Sequence, residues 1–319
     1  MAGFTVSALT TYVRENADKI YTAAITGAST LKIPGISIQT GIKNADKLML
    51  FANTAPIQVG GVCAFNSSGS STFSDVTLTV YPLKWQDTFC PETLENKYLS
   101  TKLIAGSNYD TIPFEQLIVD NVIANISFSL EKTIWQGDTT LTNLNDVKQF
   151  DGWLKKIDAG SPISATATAA ITSANVIAIF DDVYAKIPAA LLNHQTKKMT
   201  AFCGWDTFRL LIIALKNANA YHYDAGNSAT TGMITLPGSG LTVMAVNGLN
   251  TLSGSLASYG SRIITTYPEN LFYGTDLANE YEEAKFWYSM DDQNIKGSIK
   301  WKSGCQVAYT TEVVSYKNS

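Results

Sequence analysis

The stretch Glu131 to Asn143, EKTIWQGDTTLTN, sets a tryptophan (Trp135), a glycine (Gly137) and an aspartate (Asp138) at the end of a long apolar-striped segment. Those residues could build an active site, a ligand loop or a structural corner. Catalysis would need a partner for Asp138, either a base or a metal set, and none stands near it in sequence. The other chemical candidates are equally thin. The two histidines, His194 and His222, lie in no HExxH or HxH spacing. Asp181 and Asp182 are adjacent on a helical pattern and point about 100° apart, so they read as a solvated face rather than a metal pair. Asp291-Asp292-Gln293-Asn294 with Gly297 resembles a calcium loop only faintly. Lys296 stands where an oxygen ligand belongs and no bidentate glutamate follows, so a polar hairpin turn is the better reading. LPGSGL at 236–241 lacks the Lys-Ser/Thr of a phosphate cradle. The cysteines (63, 90, 203 and 305) have neither zinc-knuckle nor CxxC spacing and mostly apolar flanks, as packed, reduced thiols of a protein made in a cytoplasm would. No catalytic residue, cofactor or metal site is expected.

The totals narrow the class. A chain of 319 residues can bury a large core, as one large domain or two modest ones. Its charged share of 16% lies below the roughly 25% typical of soluble domains, a first hint that partners cover part of its surface. Net charge is −4, and the 23 basic residues are scattered, Lys197-Lys198 being the nearest thing to a basic run. A nucleic-acid grip through a basic face is therefore not expected. Neither a signal peptide nor a membrane span is visible.

The elements that must position these residues follow from periodicity. Residues 5–26 suggest a short amphipathic helix, and LKIPGISIQTGI an extended arm with a strand. Residues 51–83 carry one charge, Asp75. Two β-like runs there, PIQVGGVCAF and FSDVTLTVYPL, flank NSSGSS and predict a hairpin with a polar tip. Exposed hairpins normally blunt their edges with charge. This one lacks it, so either a second subunit covers it or it is an internal hairpin. PETLENKYLSTKLI (91–104) reads as a helix. From 113 to 135, Phe114, Leu117, Ile118, Val122, Ile123, Ile126, Leu130 and Ile134 share one face of a helix about 34 Å long at 1.5 Å per residue, with Glu115, Asp120 and Glu131 among its polar positions. Gly137 is expected to close that helix in the left-handed C-cap conformation. A second helix is expected from a Ser173 cap to Ile187. The strand KKMTAFC follows, then a helix capped by Asp206, and together they make a compact α+β unit. Beyond 221 the chain turns to strands: LTVMAV, SRIITTY, NLFYG, AKFWYSM, IKGSIKW and QVAYTTEVVSY.

In its order of parts the chain resembles the major capsid protein of tailed bacteriophages, the HK-ninety-seven-type fold. The carriers are the hairpin excursion, KWQDTFCPETLENKYL, the long helix closing on IWQGDTTLTN, FDGWLKK, MTAFCGWDTFRLLI, ENLFYGTDL and the terminal strands. The resemblance implies an α+β fold with an N-terminal arm (1–40), an extended loop (41–85) lying over a neighbouring subunit, and a peripheral domain (86–172) built on a spine helix (113–135). It further implies an axial domain (173–278) and terminal strands (279–319) completing the peripheral domain. Trp135, Gly137 and Asp138 would then form the helix corner. Gly60, Gly61, Asn66, Ser67, Gly69 and Phe73 would shape the loop, and Gly274 and Asp276 the LFYGTD turn.

By the same likeness the subunit would form pentamers and hexamers of an icosahedral head in a bacterial cytoplasm. The head would enclose double-stranded DNA without specific binding, aided by portal, scaffolding and decoration proteins. Some relatives weld neighbours through a Lys–Asn isopeptide bond. Residues 51–83 hold no lysine, and Lys43, Lys47 and Lys84 sit toward the loop's base, so no such bond is expected. With no charged helical N-terminal extension, scaffolding would come from a separate protein. The rival readings are an encapsulin-type cargo shell, a receptor- or glycan-binding β-rich module, and an enzyme with a scattered site.

Overall fold

The amphipathic pattern after residue 16 forms helix α1 (Ala17–Thr26) in the computed structural model. That model describes residues 12–13, 15–54, 56–60, 68–90, 114–142, 146–166, 169–193, 197–218, 231–251, 259, 261–276 and 284–318. The expected helix at 91–104, both histidines, Gly61, Asn66 and Ser67 lie outside these residues. After α1 come β1 (Ser37–Gln39), β2 (Ala45–Thr54), β3 (Ser70–Thr79) and β4 (Tyr81–Phe89). The long helix α2 spans Phe114–Gln136, and α3 spans Trp153–Ala159. The chain continues through β5 (Ile163–Ser164), α4 (Val176–Ala185), α5 (Ala189–Leu192), β6 (Thr200–Cys203) and α6 (Trp205–Asn217). Its last part is β7 (Met233–Thr235), β8 (Thr242–Ala245), β9 (Ile263–Thr266), β10 (Leu271–Thr275), β11 (Ala284–Ser289), β12 (Asn294–Val307) and β13 (Val314–Tyr316).

Among the described residues, two sheets and a ribbon result. In the first sheet β12 is central: β10 and β11 pair with it antiparallel along one side, β4 pairs along the other, and β1 adds parallel to β10. The second sheet runs β5-β13-β9-β6-β8-β7. The ribbon is β2 with β3. The apolar stripe of α2 (Val122, Ile126, Leu130 and Ile134) packs in one core with Ile295, Ile299 and Trp301 of the first sheet. A second core joins α4 and α6 to β6, β8 and β9 through Phe180, Val183, Phe208, Leu211 and Val243. Burying such side chains stabilises each by roughly 1.5–3 kcal/mol.

Several sequence expectations need correction. The first strand of the hairpin is 45–54, not 56–65: register runs from Ala45↔Thr79 to Thr54↔Ser70. That register buries Leu48 and Leu78, which the other pairing would not bring together at the base. The ribbon is also not free of charge, since Lys47 pairs with Asp75. Ser173 does not cap α4. Asn175 holds the N-cap position, and its side-chain oxygen accepts from the Thr172 N–H at 2.7 Å. Asp206 lies in the first turn of α6, where Gly204 is the cap residue, and it accepts instead from the Thr251 N–H at 3.2 Å. The expected break between IKGSIKW and QVAYTTEVVSY is absent, because Gly304 continues β12 opposite Gly274. A Cβ on Gly304 would stand 1.9 Å from the Thr79 carbonyl oxygen, so this glycine admits the ribbon rather than ending a strand. Sheet membership also cuts across the sequence division: β10 belongs to the first sheet with β12, while β13 leaves it and inserts between β5 and β9 of the second. The polar turn 290–293 does join β11 to β12 as a hairpin, with Ser289 opposite Asn294.

Candidate functional site: the helix corner and the projecting ribbon

The corner is built by glycines for a reason the sequence did not reveal. Gly137 is absent from the left-handed region, so it does not act as the expected cap. Its N–H donates to the Thr133 carbonyl at 2.9 Å, continuing the helix, and its own carbonyl accepts from the Gly152 N–H at 2.9 Å. A Cβ at Gly137 would meet the Phe150 carbonyl oxygen at 2.3 Å, and one at Gly152 would meet the Gly137 nitrogen at 2.7 Å. Two backbones therefore touch where any side chain would part them.

Trp135 is fully buried beside this contact. Its ring meets Trp153 edge-on at 4.9 Å and Phe202 at 5.5 Å, and its indole N–H donates to Thr30 Oγ1 at 2.8 Å. One turn earlier Glu131, read from sequence as a polar-face residue, is 2% exposed. Its carboxylate accepts from the Thr30 N–H at 2.9 Å, from the Thr30 hydroxyl, and from the Gly248 N–H at 3.3 Å. Glu131 thus ties α2 to the segment after α1 and to the 247–249 turn. Periodicity hides this, because the position falls off the apolar stripe and only the tertiary fold brings donors to it.

Asp138 proves to have partners both near and distant in sequence. One oxygen accepts from the Thr140 N–H (2.9 Å), the Thr140 hydroxyl (2.7 Å) and Lys155 Nζ (2.6 Å). The other accepts from the Tyr259 hydroxyl at 3.0 Å. Burial by itself would raise the carboxyl's pKa, but Lys155, Thr140 and Tyr259 outweigh it and hold the group well below the usual carboxylate range. Burial likewise opposes the charge on Lys155, yet Asp138 and Asp151 raise its pKa. Tyr259 is pushed up to about 12 by burial and by Asp138. Behind it, Arg262 makes a forked pair with Asp158 at 2.7 and 2.8 Å. A general base or nucleophile at neutral pH needs a pKa moved toward 7; these groups are moved away from it. The corner is suited to holding shape.

The ribbon is anchored at one end and bare at the other. Leu48, Leu78, Val80 and Ile42 are buried against Phe272. A Cβ on Gly274 would touch Ile42 and Leu78 at 3.0 Å, so this glycine seats the ribbon's base. Asp276, 1% exposed, binds Lys302 Nζ at 2.6 Å and Lys43 Nζ at 3.6 Å, clamping the same base. Beyond it, Met49, Phe51 and Phe73 share one face and are 76%, 50% and 68% exposed. The Phe51 and Phe73 rings meet across the strands in a tilted arrangement, centroids 4.9 Å apart. Ile57 and Val59 further out are fully exposed, Gly60 stands in open space, and Gly69 is exposed before β3.

Elsewhere, a cleft of about 720 Å³ is lined by parts of α2, β4 and β12, and its acids Asp146 and Asp276 are both paired with lysine. Among the described residues no group of three His, Cys, Asp or Glu is placed to hold a metal, and no helix is long and apolar enough to cross a membrane. Burial raises the thiol pKa of Cys203 and Cys305 far from reactivity.

No family model and no curated protein matches the chain. Solved structures do. A chain of the satellite phage P4 procapsid, a structure that includes the size-determination (Sid) protein, aligns with a TM-score of 0.60 and 12% identity, covering 99% of this chain and 93% of that one. A Gordonia phage Cozz structure aligns at 0.54 with 12% identity over 89% of this chain and 84% of its own. The capsid of Myoviridae phage XM1 aligns at 0.50 with 12% identity over 89% and 90%. The protein therefore has the mixed α+β fold of phage capsid chains.

Proposed function

We propose that this chain is the major capsid protein of a tailed phage, the repeating subunit of an icosahedral head, with a structural rather than enzymatic role. The observation that carries the reading is the ribbon: a two-stranded excursion from a capsid-type fold that leaves Met49, Phe51 and Phe73 exposed on one face. A monomer has no use for such an apolar face, whereas a shell covers it with the next subunit. In this reading α2 is the spine of a peripheral domain that also contains the first sheet. The second sheet with α4 and α6 forms the axial domain that meets around five- and six-fold positions. Residues 1–40 act as an arm. Portal, scaffolding and decoration proteins complete the head, double-stranded DNA fills it, and its place is the virion capsid, assembled in the bacterial cytoplasm. Lys43 and Lys47 are both held by carboxylates, which agrees with a head lacking isopeptide crosslinks.

Electron microscopy of the purified recombinant protein tests this. Shells, tubes or capsomer rings are expected. A monomer that stays monomeric at every concentration and with a co-expressed scaffold would sink it. Particles holding an enzyme cargo instead of DNA in the native source would move the assignment to an encapsulin-type compartment.

A further inference from the structure

The lysines that look scattered in sequence are gathered by strand register. Side chains directly opposite each other in a sheet share a face. On β12, Lys300 stands opposite Lys84 of β4; Ser298 stands between Gln86 and Lys285; and Lys296 stands between Thr88 and Trp287. This face of β4, β12 and β11 carries lysine, hydroxyl and amide groups around one tryptophan. Lys296 is paired with Asp292 at the hairpin turn. Lys84, Lys285 and Lys300 are exposed, and among the described residues no ion pair involves any of them. Like charges directly opposite on a sheet are destabilising, so the Lys84–Lys300 pair works against the isolated subunit.

We propose that this lysine face docks on an acidic surface of a second copy of this chain, with Trp287 as its apolar anchor. The inference rests on the shell reading. Charge complementarity supports it: the chain totals −4, and setting these three lysines apart leaves the remainder more acidic still. The geometry also fixes the kind of contact. A lysine face cannot meet its own image across a two-fold axis without setting cation against cation. The contact is therefore head-to-tail, the type that closes rings and shells when it repeats. A protein partner fits better than nucleic acid, because Trp287, Tyr288 and Met290 on the same hairpin are 44%, 40% and 86% exposed. Large apolar side chains of this kind anchor protein interfaces, and phosphate would leave them uncovered.

The test compares wild type with Lys84→Glu/Lys300→Glu and with Trp287→Ala, each checked for unchanged circular dichroism and melting. Shell and capsomer yield is read by sedimentation and electron microscopy at low and high salt. Wild-type assembly should weaken with salt. The double reversal should lower low-salt yield at least tenfold and lose the salt response, and Trp287→Ala should lower yield at both salts. A double variant that assembles like wild type, with the same salt dependence, overturns the inference while leaving the shell reading intact. The same result together with lysine-dependent binding of a double-stranded DNA oligonucleotide would assign the face to nucleic acid instead. A wild type that never assembles overturns the shell reading and this inference with it.

Discussion

At the residue scale, the corner converts an aspartate with no base or metal set near it in sequence into a carboxylate bonded by Thr140, Lys155 and Tyr259. Its pKa is depressed when folded, so the folded chain binds fewer protons here than the unfolded one. The stabilisation from Asp138 is complete above the ordinary value of 3.8 and is lost as pH falls below it. Asp138→Asn should therefore lower the melting temperature at neutral pH and flatten the loss of stability in acid; an unchanged acid limb would show that the network contributes nothing. Removing the charge leaves Lys155 only half compensated, at a cost of roughly 2–4 kcal/mol. Gly137→Val should be more severe. A branched side chain cannot coexist with the Phe150 carbonyl, and soluble, folded protein should disappear. Normal particle yield from that variant would refute the close-contact account. The importance of Gly137 was legible from its place at the helix end, but its reason was not. A cap is a local property, whereas the approach of Gly152 depends on how 146–152 folds back.

At the scale of elements, long periodic segments were readable and short ones were not. The stripe on α2 defined it to within a residue at each end. β5 has two residues and owes its existence to β13, a partner 151 residues away in sequence, so no local signal marks it. Glu131 belongs at this scale because it fastens three elements together. Glu131→Gln would aim amide hydrogens at the Thr30 or Gly248 donors and should cost about 1–3 kcal/mol, seen as a lower urea midpoint. No change in midpoint would mean the network is dispensable. The ribbon makes the opposite prediction. Phe51→Ser with Phe73→Ser should cost the subunit itself only about 1 kcal/mol, the worth of one exposed cross-strand aromatic pair, while abolishing assembly. A large fall in melting temperature, or intact shells, would contradict the role given to that face.

At the scale of the whole molecule, the charge pattern was the least legible feature. Lysines at 84, 285 and 300 are remote in sequence and become neighbours only through the pairing of β4 and β11 with β12. The order of parts was more informative than any motif, because each weak signal constrained its neighbours. The threading of β12 and β13 carries a further consequence. β12 is the strand on which the rest of the first sheet assembles, and β13 bridges β5 to β9 in the second. Both come from residues 294–316, later in sequence than every other strand among the described residues. Neither sheet is complete until these two strands are in place, so a chain that lacks them presents no finished surface to its neighbours.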